Sequence, residues 1–524
     1  MRCSTFIQQG LIDIYEYASL LNVNYAIISY VWNGLPPLPG AIPDTFEVLG
    51  VDNKPTGAQP ISVELLRSAC EAADRAGIDL LWLDQLCMKQ SDSSDKAWQM
   101  EHMHEIYSNC RVCYVFPGGL ARFTDLNEET DWINRGWTLQ EAIAPSAVEV
   151  IFRWQNDSCQ ARPNGWPNYP LLPIDEVTAN VCAKAPLSLL LDSTLNNGLS
   201  YWPMAPAAGP QHQEVNIFGR AQNTVPPGQA ILILPNVATL AIIVGGHVER
   251  DSDPYFHSIW KSTFMRSTKY RSDIIFSVMG LFGVSLSPTS FMDESGRLDT
   301  NDCIRPAIAL VQKILERGRR ATWLGISPFS PPCPGLTTFP SFPRFSPRER
   351  TSVVDFPNNR WARASRLMLN EYVDPDVEYP FPQVESMNDQ GYLKMYVKCM
   401  PVVMGGAVPA AGINVPWLED TNGAIWTQPD PNDDIVAYAA LLCAFRPYSP
   451  TNFQGLNFRR FRGFILVRNR PSSNSWYIKS YFRFDDGVWD WWLGRAGTRL
   501  LSVGGHDPDL ELHNYVQNNL ARIN

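Results

Sequence analysis

The chain has 524 residues, of which 45% are hydrophobic and 18% are charged, and its formal net charge at pH 7 is −10. This length favours two or three domains, and the apolar content excludes a disordered polyelectrolyte. The negative charge argues against nucleic acid and anionic membranes as partners. We find no secretory signal and no membrane-spanning run. Cys110-x-x-Cys113 has metal-like spacing but lacks a second pair or suitable His ligands, so we expect no metal site. The 11 scattered cysteines fit reduced thiols in a cytoplasmic protein.

Apolar runs alternate with helical patterns through the first third of the chain, and several runs end in polar and aromatic side chains. That pattern is typical of parallel strands buried on both faces. It predicts an α/β fold with a doubly wound parallel sheet. In chain order the predicted elements are a short helix over 11–21, a strand over 25–32, a loop over 34–57, a helix over 63–76, a strand over 80–83, a helix over 96–108, a strand over 111–116, a helix over 134–144 and a strand over 148–152.

The rest of the chain predicts three further helices and then a β-rich region. The helices are predicted over 256–266, 274–282 and 303–317. A Pro-rich stretch follows, which we interpret as a linker before short strands. The predicted domains are a core over 1–155, a helical extension over 156–325, a linker over 326–348 and a smaller β-rich C-terminal domain over 349–524.

Ligands of open α/β sheets bind beyond the carboxyl ends of the strands, so the polar residues there are the candidate site. Glu141 is the sharpest candidate, because it lies one helical turn after Trp137 and shares its face. A carboxylate beside an aromatic ring can stabilise an oxocarbenium-like centre. The alternative is that Glu141 caps its helix or pairs with Arg135. The remaining candidates, expected to bind a substrate, are Ser29, Tyr30, Trp32, Asp84, Gln85, Arg135 and Trp137.

Two of these candidates have equally plain structural explanations. Asp84 follows a predicted strand, where an acid can bind ribose hydroxyls, but Asp also caps the first turn of a helix. Trp32 could stack on a base or a nicotinamide ring, although tryptophans more often belong to a core. The sequence leaves both alternatives open.

Four stretches of this chain resemble, in the same order, the fungal heterokaryon-incompatibility (HET) domain. That family carries a Y-A-x-x-S-Y-x-W strand, an L-W-x-D-x-x-C-x-x-Q segment, an M-x-x-I-Y helix and an R-x-W-T-L-Q-E helix. The resemblance covers roughly the first 150 residues, and 266–286 resembles the segment that closes such domains in mushroom-type fungi. The matching stretches are Tyr25–Trp32, Leu81–Gln90, Met103–Tyr107 and Arg135–Glu141.

The resemblance implies a role in fungal non-self recognition with regulated cell death as its output. HET domains are thought to be distant relatives of TIR domains, in which a W-C-x-x-E helix supplies the glutamate that cleaves the nicotinamide–ribose bond of NAD. Trp137 to Glu141 is similar to that helix, with Thr138 in place of Cys. The resemblance therefore implies a TIR-like sheet, Glu141 as the catalytic residue, and NAD as a substrate and not a cofactor.

Two other functions fit the same sequence. The chain could be a non-catalytic signalling or scaffold module that self-assembles or recruits a partner protein. A weaker alternative is a small-molecule metabolic enzyme on the same scaffold. Incubation of the pure protein with NAD, followed by a search for free nicotinamide, separates the first function from these two.

Overall fold

The computed structural model describes residues 1–524 except 18, 21, 41–43, 51–52, 55, 91, 204–208, 221–233, 293–298, 300, 349–350, 357–359, 370, 375–380, 406–416, 431–433, 448–459, 469–473, 486–491, 493 and 506–524. The chain divides into two compact units. Unit 1 comprises Met1–His247 and Phe276–Asp299, and unit 2 comprises Val248–Ile275 and Thr300–Asn524. Among the described residues, no helix is long and apolar enough to cross a membrane.

The helices lie mostly in unit 1, and the strands are shared between the units. The helices are α1 (Cys3–Gln9), α2 (Val63–Arg75), α3 (Asp84–Cys87), α4 (Ser93–Ser108), α5 (Thr138–Ile143), α6 (Leu187–Leu195), α7 (Pro235–Val244), α8 (Asp253–Thr263), α9 (Asp273–Met279) and α10 (Ile304–Glu316). The strands of unit 1 are β1 (Tyr25–Tyr30), β2 (Thr45–Phe46), β3 (Ile61–Ser62), β4 (Leu80–Trp82), β5 (Val112–Phe116), β6 (Val148–Arg153), β7 (Cys159–Pro163), β8 (Leu172–Thr178), β9 (Cys182–Pro186), β10 (Leu199–Pro203) and β11 (Gln211–Gln213).

The main sheet of unit 1 has a parallel half and an antiparallel half. Within the described residues its nine strands run in the order β11-β10-β7-β8-β9-β6-β5-β1-β4. The pairs β1–β4, β1–β5 and β5–β6 are parallel, whereas β6–β9 and the strands beyond it are antiparallel. Every residue of β1 is buried, as expected for a central strand made of apolar side chains and small hydroxyls.

Helices cover both faces of the parallel half. On one face Ala26 and Ile28 join a core with Leu65 and Leu66 of α2. On the other face the hydroxyl of Tyr25 donates to the carbonyl of Ile106 in α4. The predicted mixed α/β class with a sheet that contains parallel strands is confirmed in this unit.

The predicted helix over 11–21 is wrong for the described residues of that stretch. The helix of this region is α1, which ends at Gly10 with a left-handed φ of 69°. Gly tolerates that conformation without a steric penalty, so it stops the helix before the predicted start. The described residues that follow have no helical backbone, and Leu11 and Ile14 are exposed at 55% and 53%.

Unit 2 is rich in β-structure, as the sequence predicts for the C-terminal region. Its largest sheet has, among the described residues, nine strands in the order β17-β22-β23-β24-β25-β19-β21-β20, with β18 paired to β19. The strands of the unit are β12 (Pro332–Cys333), β13 (Leu336–Pro340), β14 (Arg344–Ser346), β15 (Thr351–Phe356), β16 (Arg360–Arg363), β17 (Glu371–Val373), β18 (Gln383–Met387), β19 (Tyr392–Gly405), β20 (Trp417–Glu419), β21 (Ile425–Thr427), β22 (Ala437–Pro447), β23 (Arg460–Val467), β24 (Ser475–Asp485) and β25 (Gly497–Gly504).

The Pro-rich stretch predicted as the linker 326–348 lies inside unit 2 and contains β12, β13 and β14. All residues of β13 are buried, and the ring of Phe339 stacks on Trp323 with centroids 5.5 Å apart. Prolines fit this arrangement because they occupy strand ends and edge positions. The boundary between the compact units therefore falls elsewhere: Val248–Ile275, within the predicted extension 156–325, belongs to unit 2.

Candidate functional site

The carboxyl end of β1 lies where the strand order reverses. The chain passes from β1 to β4 on one side and then returns to β5 on the other side. Such a reversal opens the crevice in which open α/β sheets bind ligands. Ser29 and Tyr30 are the last two residues of β1, so their side chains mark this point.

Glu141 reaches the end of β1 through a hydrogen bond. The Ser29 hydroxyl donates to Oε2 of Glu141 at 2.5 Å, although the two residues are 112 positions apart. The Ser29 oxygen also accepts a bond from the Trp132 indole nitrogen at 2.9 Å. Ser29 and Trp132 are both 0% exposed, whereas Glu141 is half-buried. Glu141 is therefore anchored on its inner side and lies partly in contact with solvent.

A tight turn positions Glu141 for this contact. Residues Trp132–Asn134 form a 3-10 turn, and α5 begins four residues later. The hydroxyl of Thr138, the first residue of α5, donates to the carbonyls of Trp132 and Arg135 at 2.8 Å each. These bonds close the turn onto the helix, so Trp132 and Glu141 are held by one local structure.

Arg135 lies within electrostatic reach of Glu141. Burial lowers the pKa of the Arg135 guanidinium, and the negative charges of Asp131 and Glu141 oppose that shift. The charges of Arg135 and Glu141 therefore act on each other. A positive group here can balance the carboxylate or face the phosphates of a nucleotide.

Asp84 accepts three hydrogen bonds at the same end of the sheet. Its Oδ1 accepts from the Tyr30 hydroxyl at 2.7 Å and from the backbone nitrogen of Gln85 at 2.6 Å. Its Oδ2 accepts from the Trp32 indole at 2.9 Å. Burial raises the Asp84 pKa, and the three donors oppose that effect. The contacts make Asp84 an anchor for Trp32 and for the first turn of α3.

The two carboxylates meet β1 from different faces. Successive strand residues point to opposite faces, and here Ser29 contacts Glu141 while Tyr30 contacts Asp84. Their charges still act on common neighbours, because Asp84 and Glu141 both raise the pKa of Tyr30 beyond the effect of its burial. They also both raise the pKa of Tyr107. Both carboxylates therefore lie close enough to the end of β1 to influence the same tyrosines. That all the predicted residues line a single concave surface stays a prediction.

The other predicted residues differ in accessibility. Gln85 is only 2% exposed, and its amide nitrogen donates to the Gln59 carbonyl at 3.4 Å. Gln85 therefore supports the loop after β1 from the inside. Trp32 and Trp137 are both half-buried, so each ring has a face or edge that a ligand can contact. No hydrogen bond is recorded for the Trp137 indole among the described residues.

Glycines bring the loops after β1 and β5 into close contact at the reversal. The Gly34 carbonyl and nitrogen both bond to the side chain of Gln59, at 3.2 and 2.9 Å. The Leu35 nitrogen donates to the Gly118 carbonyl at 2.7 Å. A Cβ on Gly34 would lie 1.9 Å from the Gly118 oxygen. The absence of a side chain at Gly34 is therefore what allows these loops to touch.

Sequence reasoning missed three residues that shape this site: Trp132, Tyr107 and Gln59. Trp132 lies just before the matching stretch Arg135–Glu141, in a 3-10 turn whose sequence has no periodicity that would show the direction of the indole ring. Gln59 lies in a loop, where sequence pattern carries no contact information. Only Tyr107 carried a signal, as a motif residue on a predicted helix.

The cysteines and histidines of the described chain give no metal centre. Among the described residues, no group of three or more His, Cys, Asp and Glu side chains is placed to hold a metal ion. Burial raises the pKa of Cys110 to about 12 and also raises that of Cys113, so both thiols stay protonated at neutral pH. All 11 cysteines are free thiols.

The chain is thus a mixed α/β protein with polar residues gathered at the reversal of a parallel sheet. Residues 25–122 match the family described as heterokaryon incompatibility protein (HET), so this part of the chain is a HET domain. The matched span contains β1, β4 and β5 with Ser29 and Asp84, and it ends before Glu141.

Among curated proteins, the chain is similar to vegetative incompatibility protein HET-E-1 of Podospora anserina. The two are 30% identical over 142 residues, which is 25% of this chain and 10% of that protein. The similarity therefore concerns a small part of the relative. No solved structure matches the chain.

Proposed function

We propose that this chain acts in fungal non-self recognition and triggers regulated cell death by cleaving NAD-type nucleotides in the cytoplasm. The HET domain and the similarity to a vegetative incompatibility protein support the biological role. The observation that carries the chemical proposal is the hydrogen bond of Ser29 to Glu141, which brings the carboxylate of a half-buried residue to the carboxyl end of β1.

The strand order supports a TIR-like, doubly wound sheet for this domain. Of the four parallel strands in chain order, the second, first, third and fourth lie side by side as β4, β1, β5 and β6. This is one of the two common orders of doubly wound folds, and its ligand site lies between the first and third strands. The Ser29–Glu141 bond lies at the end of that first strand.

In the proposed reaction the bond between the ribose C1′ and the nicotinamide nitrogen breaks, and its electron pair stays on nicotinamide. The Glu141 carboxylate stabilises the positive charge that develops on the ribose. A water molecule then adds its oxygen to C1′ and loses a proton, which gives ADP-ribose, nicotinamide and a proton. In this proposal Trp137 and Trp32 contact the rings of the nucleotide, and a hydrogen bond to Asp84 holds Trp32.

The test is Glu141→Gln in the full chain, with nicotinamide release and thermal melting measured on the same preparations. The change keeps the side-chain volume but removes the negative charge, so we expect a loss on the order of a hundredfold or more in rate. The matched control is Glu64→Gln, which alters an exposed glutamate in the first turn of α2 and should leave the rate unchanged.

Two results separate the proposal from its alternatives. Equal activity per folded molecule in wild type and Glu141→Gln would end the catalytic role of Glu141. If Glu141 is only structural, its loss should instead lower stability by roughly 1–3 kcal/mol, the typical cost of losing a charged hydrogen bond. Undetectable nicotinamide release from the wild type would favour the non-catalytic signalling module.

A further inference from the structure

The hydrogen bonds that join Trp132, Ser29 and Glu141 have a fixed direction. An indole nitrogen can only donate, so Trp132 gives its proton to the Ser29 oxygen at 2.9 Å. A hydroxyl has one proton, and the proton of Ser29 goes to Oε2 of Glu141 at 2.5 Å. Oε2 of Glu141 therefore accepts the last of these two hydrogen bonds, an arrangement that favours the ionised carboxylate.

Packing and local hydrogen bonds hold Trp132 and Ser29 in place. Trp132 and Ser29 are both 0% exposed, and the Trp132 ring packs on Phe218 with centroids 5.5 Å apart. The Trp132 carbonyl accepts from Thr138, which starts the helix that carries Glu141. A short turn therefore connects the donor Trp132 to the acceptor Glu141, and Ser29 at the end of β1 lies between them.

We propose that Trp132 and Ser29 are positioning residues that orient the Glu141 carboxylate and keep it charged during nucleotide cleavage. This inference rests on the proposed function. A hydrogen bond donated to a carboxylate is stronger than one donated to the neutral acid, so it favours the charged form. The bond from Ser29 therefore opposes protonation of Glu141 and keeps its carboxylate charged at lower pH. Neither residue touches the substrate in this scheme.

The experiment compares Ser29→Ala and Trp132→Phe with wild type by the pH dependence of nicotinamide release. Loss of a hydrogen bond to a carboxylate makes its charged form less favourable, so the acid limb of the profile should move upward by about one pH unit in Ser29→Ala. The shift should be smaller and in the same direction in Trp132→Phe. We expect kcat to fall about tenfold with KM unchanged, because an orienting contact is lost and no substrate contact is removed.

Matched controls test whether any buried substitution has this effect. Ser68→Ala removes a hydroxyl that is 2% exposed and bonds to Thr178 at 3.0 Å. Trp154→Phe removes an indole that is 4% exposed and donates to the Asp157 carbonyl at 3.2 Å. Both controls should melt at lower temperature yet keep the wild-type pH profile. An equal shift of the profile in the controls would overturn the proposal.

A second measurement does not need activity. In protein labelled with ¹³C at the glutamate carboxyl carbon, the Glu141 signal is assigned by its loss in Glu141→Gln and followed through a pH titration. We expect it to titrate at higher pH in Ser29→Ala than in wild type. An unchanged titration overturns the positioning role even if nicotinamide is released. If the titration shifts but the protein releases no nicotinamide, the result supports the effect of Ser29 on the charge of Glu141 and contradicts the proposed reaction.

Discussion

Gly34→Ala tests the contact between the loops at the reversal of the sheet. The added Cβ would lie 1.9 Å from the Gly118 oxygen and 2.5 Å from its carbonyl carbon. An ordinary contact between such atoms is well over 3 Å, so one backbone must move by about an ångström or more. Because the neighbour is backbone and not a flexible side chain, the shift also strains the bond from the Leu35 nitrogen to the Gly118 carbonyl.

The expected loss of stability is roughly 2–3 kcal/mol, toward the upper end of the range for overpacked sites. Without the clash, the same change would stabilise the protein by up to about 1 kcal/mol, because alanine restricts the unfolded chain. For a unit of this size each kcal/mol corresponds to roughly 2–4 °C, so the transition of unit 1 should fall by about 4–12 °C.

Differential scanning calorimetry of the full chain measures this shift, and Gly209→Ala is the matched control. A Cβ on Gly209 meets nothing within 4 Å, so that change should leave the transition in place or raise it slightly. A Gly34→Ala transition within about 1 °C of the wild type would refute the reasoning. It would mean that the two loops separate without cost.

Two further predictions concern buried titratable groups of unit 2. Burial lowers the Lys261 pKa to about 7, while its Nζ donates to the carbonyls of Leu369 and Glu371 at 2.6 and 2.9 Å. Between about pH 7 and 10.5 the unfolded chain therefore binds one more proton than the folded chain, so the free energy of unfolding rises with pH in this range. Lys261→Met should flatten that rise, which urea unfolding at several pH values measures. Burial also lowers the His257 pKa to about 3, so stability should fall as pH drops from 6.5 toward 3. His257→Asn, which can keep the donation to the Thr322 carbonyl, should reduce that fall, and an equal acid loss in this variant would contradict the assignment.

The sequence predicted the parallel half of the sheet well because its signals are local. The helix predicted over 63–76 is α2, Val63–Arg75, which is capped by the Ser62 hydroxyl and followed by Gly77 with a φ of 71°. The strands over 80–83 and 111–116 lie within two residues of β4 and β5. Each of these elements shows a regular spacing of apolar residues and ends at a residue that terminates it, so no distant partner is needed to recognise it.

The antiparallel half was not predicted because its strands depend on distant partners. The stretches around β7 and β10 contain many prolines and asparagines, a composition that does not indicate strands. In the structure Leu199 pairs with Pro163, and β10 pairs with β7 over its whole length. Pro163 and Pro203 are the last residues of β7 and β10, so neither proline interrupts its strand, but composition alone does not reveal this.

The candidate site was predicted as a set of residues but not as a set of contacts. The motif spacing identified Ser29, Asp84 and Glu141, and the structure brings each of them to the end of β1. The sequence could not show that Asp84 would be occupied by three donors of its own chain. Nor could it reveal that Trp132 lies behind Ser29, since both bonds depend on where a helix packs.

The carboxyl end of β1 contacts both carboxylates, Asp84 and Glu141. Ser29 and Tyr30 are adjacent, and each contacts one acid on its own face, Glu141 for the first and Asp84 for the second. A displacement of β1 along its axis therefore moves both contacts at once, whereas a change on either helix moves only one. Gly34, four residues beyond the strand, sets how closely the following loop approaches its neighbour. If the proposed reaction is correct, Gly34→Ala should lower activity per folded molecule as well as stability, and Gly209→Ala should lower neither.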